Sequence, residues 1–166
     1  MSVQLFVPGE TRLHEKRVAL VPAVAEKLLK LGIAINMQPG AGEAARIPDL
    51  AYEKAGVNVA EPPADVDLIF RVQPPTLAEI EQMKPGTVLC CFVYAHREMP
   101  IVRALRDNKI TCFAMELVPR ITRAQAMDAL SSQAALAGYY AALLAATNLN
   151  RILPMMTTAV GSLRPA

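Results

Sequence analysis

Leu68-Ile69-Phe70-Arg71-Val72-Gln73-Pro74-Pro75-Thr76-Leu77-Ala78-Glu79-Ile80-Glu81-Gln82-Met83-Lys84-Pro85-Gly86-Thr87-Val88-Leu89-Cys90-Cys91-Phe92-Val93 spells out a strand, a helix and a second strand in one short span. Residues 68–72 and 88–93 are apolar runs of strand length, and residues 77–83 carry helical periodicity. Thr76, after two prolines, is placed to cap the helix, and Gly86 to turn the chain back into a strand.

The same alternation extends in both directions. Residues 3–7, 33–37, 57–60 and 111–115 read as further strands, and residues 23–31, 50–55 and 99–108 as further helices. Pro22 sits at a first-turn position and Gly32 just past a helix end, so the boundary signals agree. Strands alternating with helices imply a doubly wound α/β fold, Rossmann- or flavodoxin-like, with a parallel sheet covered on both faces. Residues 128–149 differ, being rich in Ala and Leu with apolar groups on nearly every side. They predict a long C-terminal helix buried all round, for which residues 154–166, with two prolines and a glycine, offer no cover.

Of the 166 residues, 53% are apolar and 19% charged, an apolar bias consistent with a surface that meets a partner. A net charge of +2 without a basic run, and only eight aromatic residues, argue against nucleic acid as a partner. The longest apolar run, residues 134–147, reaches about 21 Å as a helix, short of the roughly 30 Å of a bilayer core, so no direct membrane span is expected. No signal peptide is expected at the N-terminus, and the reading is cytoplasmic. Cys90, Cys91 and Cys112 lie in strand-like runs without metal-ligand or redox spacing and are expected to be buried thiols.

Few residues suggest chemistry on their own. Gly40-Ala41-Gly42-Glu43-Ala44-Ala45 fits the loose glycine fingerprint of dinucleotide sites, but Pro48 interrupts the helix that such a turn must open, so it reads as a plain turn. His14 and His96 lack a metal-ligand cluster and read as surface histidines, with a catalytic role for His96 left open because it follows a strand; no metal site is expected. The segment 10–22 is a polar loop with one or two ion pairs, feeding an apolar stretch. Pro119-Arg120-Ile121-Thr122-Arg123-Ala124-Gln125-Ala126-Met127-Asp128-Ala129-Leu130-Ser131-Ser132 comes after the last strand, at the sheet edge where ligands bind in open parallel folds. Its guanidinium, amide, carboxylate and hydroxyl groups suit the orientation of an amide-bearing ring; the competing reading is that Asp128 or Thr122 caps the helix and Arg120 is solvated.

Arg17-Val18-Ala19 with Pro22, the Gly40-Ala41-Gly42 turn, Arg71-Val72-Gln73-Pro74-Pro75 and Pro85-Gly86-Thr87 occur in an order that resembles the shared N-terminal region of alanine dehydrogenases and transhydrogenase α subunits. In alanine dehydrogenases a substrate-binding lysine corresponds to Gln73, whose uncharged amide cannot anchor a carboxylate as a cation would. Their catalytic histidine falls at or near His96, in Tyr94-Ala95-His96. The 119–132 segment is similar to the transhydrogenase loop around the two nicotinamide rings, with Arg120, Gln125, Asp128 and Ser131 at matching spacing.

The resemblance implies the NAD(H)-binding component of a proton-translocating NAD(P) transhydrogenase, which moves a hydride between NADH and NADP+. It implies that Arg120 holds the NAD(H) carboxamide with Ser131 nearby, that Gln125 contacts the NADP(H) nicotinamide ribose on a partner subunit, and that Asp128 helps place the dihydronicotinamide. Gln125 and Asp128 are thus the expected catalytic positions. Family members continue into a strand and a true G-x-G-x-x-G turn that these residues do not contain, so the main NAD(H) site is expected elsewhere and the isolated chain inactive. Residues 1–127 would be the N-terminal domain, and 128–166 a helix and linker toward an absent NAD-binding domain. Implied partners are that second domain and the NADP(H)-binding and membrane transhydrogenase subunits, with a homodimer and a peripheral position on the inner face of the cell membrane. An alanine dehydrogenase-like fragment and a non-catalytic interaction module are the alternatives.

Overall fold

The computed structural model describes residues 2–164, so Met1 and the last two residues of the expected linker, Pro165 and Ala166, lie outside the described residues. The chain divides into two units, Met1–Pro119 and Arg120–Ala166. In the first, β1 (Gln4–Val7), α1 (Pro22–Lys30), β2 (Ala34–Met37), α2 (Asp49–Lys54), β3 (Asn58–Val59), β4 (Leu68–Phe70), α3 (Leu77–Glu81), β5 (Val88–Cys91), α4 (Met99–Asp107) and β6 (Thr111–Ala114) succeed one another. All strand pairs are parallel, in the order β3-β2-β1-β4-β5-β6. This is the doubly wound arrangement that the alternation implies, with its topological switch between β1 and β4.

Local chemistry sets the element ends. Thr76 Oγ1 accepts from Glu79 N at 3.2 Å while Glu79 Oε2 accepts from Thr76 N at 2.6 Å, a reciprocal cap worth about 1 kcal/mol. Gly86 turns at a φ of +94° and donates to Lys109 O at 3.0 Å, a conformation that a side chain would strain. β4 is shorter than the run 68–72, yet single bonds continue the pairing beyond it, from Arg71 N to Cys90 O and from Phe92 N to Val72 O, both at 3.0 Å.

Two apolar clusters lie on opposite faces of the sheet. Leu5, Val7, Ile35 and Met37 are buried with Ala25 and Tyr52 in one, and Ile69, Leu89 and Cys91 with Ile80, Ile101 and Leu105 in the other. The Tyr52 hydroxyl donates to Leu20 O at 2.9 Å, worth about 1 kcal/mol for a buried polar tip. A Cβ on Gly42 would stand 2.5 Å from Ile47 O and 2.7 Å from Tyr52 Cε2, so packing alone requires glycine there. The expectation of three buried thiols holds for Cys91 only. Cys90 and Cys112 are half-buried, because Cys90 alternates to the opposite face and Cys112 lies on an edge strand.

The second unit contains α5 (Ala129–Asn148) and an antiparallel hairpin of β7 (Met156–Thr158) and β8 (Gly161–Leu163). The long helix forms as expected, but it is not buried: none of its residues is. Composition makes it apolar, and only a second surface can cover it, which a two-stranded hairpin in the same unit does not supply. The hairpin was not legible as such, since three-residue strands are too short to show alternation. Thr158 Oγ1 closes its turn, donating to Gly161 O at 3.0 Å and accepting from Val160 N at 3.3 Å.

Candidate functional site

Where β1 and β4 diverge, the amides of Val72 and Gln73 run past the last residue of β1 and have no strand carbonyl on that side. The Glu10 carboxylate takes its place, accepting from Val72 N at 2.6 Å and from Gln73 N at 3.1 Å. The same device recurs two strands away. Glu116, in the short 3-10 turn Met115–Leu117 after β6, accepts from Tyr94 N at 2.6 Å and from Val93 N at 3.1 Å. Both ties cross long sequence gaps, which is why spacing did not reveal either carboxylate.

Between these ties lies a crevice of about 470 Å³, lined by Arg12, His14, Glu15, Gln73, Tyr94 and Arg97, among others. The 10–22 loop does hold two ion pairs, Arg12 to Glu98 at 2.8 Å and Arg17 to Glu15 at 2.6 Å. It is more than a solvated loop, because the Glu15 side chain is only 7% exposed and also accepts from Gln73 Nε2 at 2.7 Å. The Arg17 hydrogen bonds hold the Glu15 carboxyl down at about 2, with Gln73 adding to them and burial opposing. Glu15 in turn raises Arg17.

Of Tyr94-Ala95-His96, the residue that lines the crevice is Tyr94, at a left-handed φ of 53°. His96 is exposed and not part of the lining. The histidine in the crevice is His14, also left-handed at φ 67°. Sequence could not choose between Tyr94 and His96, because the choice depends on one backbone angle.

In the second unit, a 3-10 segment (Thr122–Met127) leads to Asp128, which caps α5. Asp128 Oδ1 accepts from Ser131 N at 2.9 Å and Oδ2 from Ser131 Oγ at 2.6 Å, while Ser132 Oγ donates to Asp128 O at 2.9 Å. The Ser131 bonds, with the Arg120 charge adding, hold the Asp128 carboxyl below the usual range. The fold therefore brings Asp128, Ser131 and the field of Arg120 together, and leaves Arg120 and Gln125 exposed. The capping reading of Asp128 is correct, and it does not compete with a binding role: a carboxylate has about four acceptor positions, of which Ser131 takes two.

The Gly40 turn does not fit a dinucleotide pyrophosphate. Its Gly40 amide already donates to the Asp49 carboxylate at 3.0 Å, and the next element is a three-residue 3-10 turn, Glu43–Ala45, with no helix N-terminus to offer an anion. Among the described residues no group of three or more His, Cys, Asp or Glu is placed to hold a metal ion. No described helix is long and apolar enough to cross a membrane.

Residues 6–137 match the family described as "Alanine dehydrogenase/PNT, N-terminal domain". The chain is 43% identical over 173 residues to an NAD(P) transhydrogenase subunit alpha of Rhodospirillum rubrum, covering 99% of itself and 45% of that protein. It superposes on the crystal structure of transhydrogenase from Sinorhizobium meliloti with a TM-score of 0.94 and 41% identity, over 98% of this chain and 50% of that one. An alanine dehydrogenase of Halomonas elongata is 32% identical over 120 residues, covering 70% of this chain and 32% of the relative. The chain thus spans no more than about half the length of the relatives it matches.

The Glu15 tie yields a pH test. A carboxyl held below its ordinary value stabilises the fold fully above that value and loses the contribution as pH falls through the folded value. For Glu15 the window runs from 4.5 down to about 2. Urea unfolding of wild type and Glu15→Gln should show a gap in midpoint at neutral pH that closes across this window. A gap constant down to its acid end would contradict the tie.

Proposed function

We propose, because this chain belongs to the alanine dehydrogenase/PNT N-terminal domain family, that it is the front portion of the NAD(H)-binding component of a proton-translocating NAD(P) transhydrogenase. The observation that carries this reading is identity across nearly the whole chain with a transhydrogenase α subunit. The crevice supports the choice between the family's two branches. An amino-acid dehydrogenase needs a cation for the substrate carboxylate, whereas Gln73 offers an amide already bonded to Glu15, and Tyr94 lines the wall instead of His96.

Residues 1–127 serve as the N-terminal domain, and 128–166 as the helix and linker toward an NAD-binding domain. The cofactors supply the hydride chemistry, and the chain supplies position. Arg120 donates to the carboxamide of NAD(H) with Ser131 beside it, Gln125 meets the nicotinamide ribose of NADP(H) held by a partner subunit, and Asp128 sets the dihydronicotinamide. Asp128 suits this role because its two bonds to Ser131 fix the carboxylate while leaving acceptor positions open. The partners are the NAD(H)-binding second domain and the NADP(H)-binding and membrane subunits, which hold the chain at the inner face of the cell membrane.

In a complex reconstituted with those subunits, Gln125→Ala and Asp128→Asn should each lower the transhydrogenation rate by roughly tenfold or more. Gln125→Ala should leave the unfolding midpoint unchanged. Unaltered rates in both variants would favour the non-catalytic interaction module.

The chain also pairs as a homodimer through α5, whose Leu136 and Leu143 are 61% and 46% exposed and lie seven residues apart on one stripe. Sedimentation velocity should give a dimer that Leu136→Asp with Leu143→Asp converts to monomer. A monodisperse wild-type monomer would rule the pairing out.

A further inference from the structure

Interior strands of a parallel sheet carry apolar side chains on both faces, and helices cover both. Here α1 and α2 cover one face over β1, β2 and β3, where Leu68 and Phe70 of β4 also pack. On the opposite face α3 and α4 cover β4, β5 and β6. The first face over β5 and β6 belongs to neither cluster. By alternation it presents Val88, Cys90 and Phe92 from the β5 line and Thr111, Phe113 and Met115 from the β6 line, with Cys90 opposite Phe113. β5 is an interior strand, yet Val88, Cys90 and Phe92 are only half-buried, and Phe113 is 61% exposed. None of the six is charged.

No connection inside this sheet covers that quadrant, because right-handed crossovers place α3 and α4 on the opposite face. The patch is two strands wide, about 10 Å with its side chains, which matches the 10–12 Å diameter of one helix. Relatives are about twice as long as this chain, which fits only 50% of the Sinorhizobium meliloti structure while using 98% of itself.

We propose that the bare face of β5 and β6 is the docking surface for one α-helix contributed by the half of a transhydrogenase α subunit that lies beyond the region this chain matches. The inference rests on the transhydrogenase reading for its partner and adds the place where that partner binds. The docked helix presents an uncharged apolar stripe to Cys90, Phe92 and Phe113.

Cys90 reports on the surface directly. The full chain is treated with N-ethylmaleimide, alone and with the purified portion of the Rhodospirillum rubrum α subunit that lies beyond the match. Site-resolved mass spectrometry follows Cys90, with Cys112 on the opposite face as the internal reference. Docking slows Cys90 alkylation at least about tenfold and leaves Cys112 unchanged. Phe113→Asp, at an exposed position that tolerates a charge, abolishes both the protection and co-sedimentation. A complex that leaves Cys90 reactive overturns this surface while sparing the transhydrogenase reading, which is scored separately by hydride transfer in the same mixture. Absence of any complex overturns the proposed occupant. Protection that rises with the chain's own concentration overturns it in favour of a second copy.

Discussion

A parallel sheet has no face to leave to water, since every interior strand carries apolar side chains on both sides and its crossovers must cover them. That demand organises this protein. It explains why α1 and α2 take one face and α3 and α4 the other, and why the buried residues fall into two clusters divided by the switch between β1 and β4. It also marks where cover is missing, because Phe113 on β6 and the whole of α5 are apolar without being buried. A chain that matches half of its relatives shows these surfaces as the place where the other half would bear.

At the switch point the constraint is polar. Strand ends that outrun their neighbours expose amides, and a buried unpaired amide costs about 1–3 kcal/mol. Glu10 and Glu116 meet that cost with carboxylates from the loops after β1 and β6, and in doing so fix Gln73 and Tyr94 as the crevice walls. Glu15 then occupies Gln73 and Arg17 from within the chain. The result is a crevice stiffened by its own carboxylates, which fits a domain that positions a partner's chemistry better than one that binds an amino acid.

Period and punctuation made most of the fold readable. The strand runs, Pro22, the Thr76 cap and the glycine at 86 each act within a few residues, so local sequence contains their physics. The site was only partly readable. The Asp128 cap is local and was visible, whereas the Glu10 and Glu116 ties join residues 62 and 22 positions apart. Tyr94 displaced His96 through a single left-handed angle. The burial expected for α5 depended on a surface outside its unit, which no pattern in residues 128–149 can supply.

Titration of NADH into the full chain, monitored by calorimetry, tests the central claim most directly. If this chain is the front portion of an NAD(H)-binding component whose dinucleotide turn lies elsewhere, no saturable heat appears, because the Gly40 amide is taken by Asp49 and the glycine turn opens no helix toward a pyrophosphate. Saturable binding in the micromolar range would contradict it.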